Sequence, residues 1–129
     1  MVLLAKNLIE NNQTLIVKRI QLKELSNNDV FNILKETRAL ENIKHSHIVN
    51  MINSFIYEDK LYIVMHYYAG GDLESYFSKV KKIHEKEAKL LFKQILEAIR
   101  FYSSKGIVHR NPSPNNILFT NENKDNIVV

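Results

Sequence analysis

The sequence predicts an α+β fold with a strand-rich first half and a helix-led second half, and three features of its 129 residues lead there. Short apolar runs broken by turn-forming clusters fill the chain up to His66. One amphipathic helical pattern interrupts them after Asp29, and a longer one dominates from Lys86 onward. With 45% hydrophobic and 25% charged residues, such a chain has enough apolar material for one domain to bury a core without metal or disulfide support.

Leu3 to Ile9 and Thr14 to Ile20 flank Glu10-Asn11-Asn12-Gln13, a turn-forming cluster that predicts an antiparallel hairpin. In its second strand, alternation puts Ile16, Lys18 and Ile20 on one face. From Asp29, read as the N-cap after Ser26-Asn27-Asn28, apolar residues recur at Val30, Ile33, Leu34, Leu40 and Ile43 with helical spacing. Glu36 falls between Ile33 and Leu40 and shares that stripe. A carboxylate there is costly unless paired, and Lys18 on the facing strand is a candidate partner. The plainer reading is that Lys18 snorkels at a strand edge while Glu36 flanks the stripe.

A second hairpin is expected from Ile48 to Tyr57 and Leu61 to His66, joined by Glu58-Asp59-Lys60. Gly70-Gly71 taken alone is a turn. Lys86 to Ser104 forms a long helix with Leu91, Ile95, Ala98, Ile99 and Tyr102 on one side. Phe92 and Leu96 widen its apolar arc, which implies burial by more than one neighbour. Gly106 stops the helix, Ile107-Val108 gives a short strand, and Ile117 to Phe119 with Ile127 to Val129 makes a final hairpin.

The absence of Cys excludes a disulfide scaffold and thiolate metal sites and is compatible with a reducing compartment. Met1 to Ala5 lacks a basic leader region and is cut short by Lys6, and no apolar run is long enough to span a bilayer. A soluble, intracellular and cytoplasmic chain is expected. The net charge of +4 could favour anionic partners. Yet Lys79, Lys81, Lys82, Lys86 and Lys89 are interspersed with Glu85 and Glu87, a solvated helical face rather than a nucleic-acid surface. His45, His47, His66 and His84 have no Cys or close carboxylate set to complete a metal site.

The run His109-Arg110-Asn111-Pro112-Ser113-Pro114-Asn115-Asn116-Ile117-Leu118 resembles the protein kinase catalytic loop His-Arg-Asp-Leu-x-x-x-Asn. Leu15-Ile16-Val17-Lys18 resembles the family's Val-Ala-Ile-Lys strand. Glu36 precedes His45-Ser46-His47-Ile48-Val49 at the distance familiar between the helix C glutamate and His-Pro-Asn-Ile-Val, and Val64 to Leu73 resembles the hinge between the lobes. From Val2 to Val129 the chain is similar to eukaryotic protein kinases of the Ser/Thr type.

That resemblance implies a protein-kinase-like architecture. Residues 1–66 would be an antiparallel N-lobe sheet with helix C, running from strand 2 through strand 5; 67–73 the hinge; and 74–129 the start of a mainly helical, truncated C-lobe through the catalytic loop. It implies ATP and Mg²⁺ as cofactors, with Val2, Lys18, Met65, Tyr68, Asp72 and Leu118 at the nucleotide, Glu36 in an ion pair with Lys18, and Asn116 on the metal. The family's Gly-rich loop and Asp-Phe-Gly would fall outside the 129 residues.

Asn111 stands where the family has its catalytic Asp. A neutral amide cannot take a proton near pH 7, so a general-base contribution of roughly 10²- to 10⁴-fold is forfeited. Ser113 replaces the Lys beside the transferred phosphate, and Ile16 replaces a small Ala above adenine. The family activity is ATP-dependent phosphoryl transfer to protein Ser/Thr; here nucleotide binding is expected to be weak or partial and catalysis lost. Two alternatives stand beside this reading. One is a non-catalytic pseudokinase module that docks a protein partner, or a second copy of itself, on the exposed face of the 86–104 helix. The other is a truncated gene product of an active kinase.

Overall fold

Strand β1 (Val2–Lys6) pairs antiparallel with β2 (Thr14–Gln21), placing Val2 opposite Lys18 and Leu4 opposite Ile16. This computed structural model describes residues 1–8, 12–41, 43–80, 82–107 and 112–129. β1 ends at Lys6 rather than at Ile9, and Ile9 itself lies outside the described residues. The second hairpin consists of β3 (Met51–Tyr57) and β4 (Lys60–His66), and the sheet order is β1-β2-β4-β3. Its turn is tighter than the sequence implied. Glu58 and Asp59 take left-handed φ values of 45° and 58°, and Lys60 already belongs to β4. Two consecutive left-handed residues match the right-handed twist of the flanking strands.

Helix α1 (Asn27–Glu41) begins earlier than the reading of Asp29 as its cap required. The Ser26 Oγ accepts from the Asp29 backbone N–H at 3.2 Å and donates to the Asp29 carboxylate at 2.6 Å, while the Val30 N–H reaches the Ser26 carbonyl. Ser26 is therefore the cap, and Asp29 lies in the first turn, where a negative charge suits the helix dipole. Val30, Ile33, Leu34 and Leu40 pack, with Ile20 and Met65, on a core of Leu22, Met51, Leu61 and Ile63. At the far end of α1, Ser54 of β3 donates to the Glu41 carboxylate.

Glu36 does not lie in the buried stripe. It is exposed, and the buried residue of α1 is its neighbour Thr37, whose hydroxyl bonds back to the Ile33 carbonyl at 2.8 Å. A hydroxyl can satisfy itself on the preceding turn of its own helix, which makes it cheaper to bury than a carboxylate.

The chain divides into two units. One comprises Met1–Lys44 and Asn50–Tyr67, just described, and the other His45–Val49 and Tyr68–Val129. The second unit holds α2 (Leu73–Lys79), α3 (Glu85–Ser104), a 3-10 turn at Pro114–Asn116, and the hairpin β5 (Leu118–Phe119) and β6 (Ile127–Val128). Segment 45–49 is not the start of β3. The Val129 N–H donates to the His47 carbonyl and the Val49 N–H to the Val129 carbonyl. The His47 ring donates from Nδ1 to the Ile127 carbonyl at 3.0 Å, and its Nε2 lies 3.3 Å from the Glu97 carboxylate.

Gly106, at φ +68°, terminates α3, and Ile107 bonds back to the Tyr102 carbonyl instead of entering a strand; Val108 lies outside the described residues. The buried stripe of α3 is Leu91, Gln94, Ala98 and Tyr102. Phe92 at 61% and Leu90 and Leu96 at 49% remain exposed, so the wide apolar arc is covered on one flank and open on the other.

Candidate functional site

Antiparallel register places the sequence-predicted residues of the first unit together. Cross-strand partners share a face, and so do alternate residues along a strand. Val2 is opposite Lys18, Lys18 opposite Ile63, and Ile16 opposite Met65, so Val2, Ile16, Lys18 and Met65 all lie on one face of the sheet. Ile63, Leu61 and Met51 of that same face form the core that α1 covers. The result is a patch of apolar side chains around Lys18, which is exposed.

Lys18 and Glu36 are both exposed, and Glu36 is not without a partner.

In the second unit the structure joins two more of the predicted residues. Asp72 and Leu118 form an isolated antiparallel bridge, flanked by the Leu73 N–H on the Ile117 carbonyl at 2.9 Å and the Phe119 N–H on the Gly71 carbonyl at 2.8 Å. Asp72 is also the N-cap of α2. Its Oδ1 accepts from the Ser75 backbone N–H at 2.7 Å and its Oδ2 from the Ser75 hydroxyl at 2.8 Å. These bonds, the backbone one foremost, hold the Asp72 carboxyl below its ordinary value of 3.8. A carboxylate has about four lone-pair sites, so two bonds to Ser75 leave capacity for a ligand hydroxyl.

Gly70-Gly71 is more than a turn. A Cβ on Gly70 would lie 2.3 Å from the Asn121 carbonyl oxygen and 2.4 Å from the Phe119 Cβ, while Gly71 adopts φ +76° in open space. The first glycine permits a close approach of two backbones and the second a left-handed conformation. Tyr68, half-buried, precedes this pair in the linker. Asn116 ends the 3-10 turn, with its N–H on the Ser113 carbonyl at 2.8 Å and its Nδ2 on the Ser113 hydroxyl at 3.1 Å. The same hydroxyl donates to Asn115. Asn111 lies outside the described residues, as do His109 and Arg110.

Sequence reasoning passed over Gln94. It is buried, its Oε1 accepts from the Ile127 N–H at 2.8 Å, and its Nε2 donates to the Asp125 carbonyl at 2.9 Å. The available signal was a polar residue set between Leu91 and Ala98 on the apolar stripe of α3. Lys124 was passed over too, and no periodicity marks a lysine in a hairpin loop. No group of three or more metal-ligating side chains occurs among the described residues, and no helix among them is long and apolar enough to cross a membrane.

Residues 2–128 match the protein kinase domain family. A serine/threonine-protein kinase stk11 homolog of Dictyostelium discoideum is 33% identical over 112 residues, covering 84% of this chain and 19% of the relative. Human serine/threonine-protein kinase ULK1 is 36% identical over 105 residues, covering 81% of this chain and 10% of the relative. Among solved structures, a crystal structure of Rad53 1–466 in complex with AMP-PNP superimposes with a TM-score of 0.82 at 26% identity, covering 92% of this chain and 30% of that one. The chain thus spans less than a third of each of these proteins. With the strand face around Lys18, the Asp72–Leu118 bridge and the match along nearly its whole length, this chain belongs to the protein kinase domain family and is related to its Ser/Thr kinases.

Proposed function

We propose that this chain is a kinase-like fragment that contacts an adenine nucleotide weakly and does not transfer its phosphoryl group to protein. The observation that carries the first half is the shared sheet face of Val2, Lys18 and Met65. An exposed ammonium within an apolar patch suits a ligand with a flat base at one end and phosphates at the other. Met65 and Tyr68 would flank the base, Asp72 would accept from a ribose hydroxyl, and Val2 and Leu118 would supply apolar cover. Asn116 would offer one contact to Mg²⁺, whose role when bound is to neutralise phosphate charge. The Rad53 relative was solved with AMP-PNP, which supports the same ligand class.

The second half rests on Asn111, which has no carboxylate to accept a hydroxyl proton. Ser113 adds to it: a hydroxyl engaged with Asn115 and Asn116 stands where a cation would assist the transferred phosphate. The chain is taken to work inside the cell, in the cytoplasm, with a protein as its partner.

Calorimetric titration with MgATP should give weak binding that Lys18→Met weakens at least tenfold, and radiolabelled ATP should leave protein substrates unlabelled even in Asn111→Asp. Robust ATP turnover abolished by Lys18→Met would overturn this reading.

A second reading is favoured by one observation. Phe77, Phe92, Ile95 and Ile99, with Leu73 and Ile117, line an apolar groove of about 680 Å³ beside α2 and α3. A groove of that character suits a second copy of the chain. Analytical ultracentrifugation decides it: a dimer that Phe92→Lys dissolves supports self-association, and a monomer at high concentration removes it.

A further inference from the structure

The loop between β5 and β6 carries a lysine in an unusual setting. Lys124 adopts a left-handed φ of 58°, held there by its own N–H on the Asn121 side-chain oxygen at 3.1 Å. Its ammonium donates to the Gly70 carbonyl at 2.6 Å while standing 5.0 Å from the ring centre of Phe119 and 5.6 Å from that of Tyr76. The two rings meet edge to face at 5.2 Å, and Phe119 is fully buried. A half-buried cation held by a carbonyl and two aromatic faces is fixed far more firmly than a surface lysine.

The Gly70 carbonyl that Lys124 grips belongs to the linker just after Tyr68, where no Cβ fits against the hairpin backbone. Directly after Lys124, Gln94 of α3 holds both Asp125 and Ile127. The hairpin is thus tied to α3 by an amide and to the linker by an ammonium, with the Phe119–Gly71 and Leu73–Ile117 backbone bonds between them.

We propose that Lys124 is a positioning residue for the nucleotide-facing linker, setting Tyr68 to Asp72 by holding the Gly70 carbonyl. It touches no nucleotide itself. The effect on ligand binding rests on the nucleotide reading above; the effect on the linker does not.

The experiment is amide hydrogen exchange on the full chain, read at Phe119 and Leu73, together with calorimetric titration of MgATP. Lys124→Met keeps the aliphatic stem and removes the ammonium. Lys124→Gly also removes it but relieves the left-handed backbone, so a merely structural residue would give unchanged or improved thermal stability and unchanged protection. Both variants are expected to speed exchange at Phe119 and Leu73 by about tenfold and to weaken MgATP binding severalfold, while Lys124→Arg stays near wild type. Unchanged exchange in Lys124→Met overturns the proposal, and so does faster exchange with wild-type MgATP affinity. If the wild-type chain binds no MgATP, the nucleotide reading fails and the exchange rates alone decide whether Lys124 positions the linker.

Discussion

Gln94 supplies Ile127 with the hydrogen-bond partner that a neighbouring strand would otherwise provide, its Oε1 lying 2.8 Å from the Ile127 N–H. β5 covers one edge of β6, and on the other edge the carboxamide of Gln94 serves the Ile127 N–H and the Asp125 carbonyl. Gln94→Leu leaves the buried Ile127 N–H without that partner, at roughly 1–3 kcal/mol, while the Asp125 carbonyl, on an exposed residue, can turn to water. The urea midpoint should fall accordingly. Gln94→Glu should be nearly as damaging, because it sets a carboxylate against the Asp125 carbonyl.

The adjacent glycines should respond differently to the same substitution. Gly70→Ala forces a methyl into backbone atoms 2.3–2.7 Å away, an overpacking cost of about 1–3 kcal/mol or more. Gly71→Ala meets no atoms and carries only left-handed strain, about 1–2 kcal/mol. Thermal melts of the two variants should rank Gly70→Ala as the less stable.

Acid should uncap α2. Because the Ser75 bonds hold the Asp72 carboxyl below 3.8, its contribution is present above that value and lost as pH falls through the lower folded-state value. Asp72→Ala should cost about 0.5–2 kcal/mol at neutral pH. The difference between variant and wild type should shrink below pH 3.8, as followed by circular dichroism.

Alkali should act through Tyr102. Burial pushes its phenol from 10.0 up to about 12, and its hydroxyl donates to the Val129 carbonyl at 3.2 Å. The raised value means that this stability is complete below pH 10 and drains as pH climbs toward 12, at up to about 1.4 kcal/mol per pH unit. Tyr102→Phe should be less stable by about 1 kcal/mol at pH 7 and should lose the part of the alkaline decline that Tyr102 contributes. Denaturant titrations at a series of pH values would check both.

Local pattern carried much of this fold. Alternation in β2 put Ile16, Lys18 and Ile20 on one face, and the register with β4 agrees. The stripe of Val30, Ile33, Leu34 and Leu40 packs as helical spacing requires. What was not legible involves side chains whose partners are distant in sequence. Gln94 bonds residues 31 and 33 positions away, and Lys124 bonds a carbonyl 54 positions away. No periodicity reports such pairs. Glu36 shows the converse limit: spacing put it on the apolar stripe, but the residue hidden there is Thr37, one step of helix rotation on, and the carboxylate is left in solvent.

The bonds between segment 45–49 and the last residues of the chain bear on how this protein emerges from the ribosome. His47 reaches an acceptor 80 positions downstream, at Ile127. At roughly 5–20 residues per second, translation needs about 4–16 s to deliver that acceptor after His47 is made. Through that interval the His47 ring and carbonyl and the Val49 N–H lack their native partners, so a nascent chain would leave segment 45–49 undocked and open to chaperone capture for seconds.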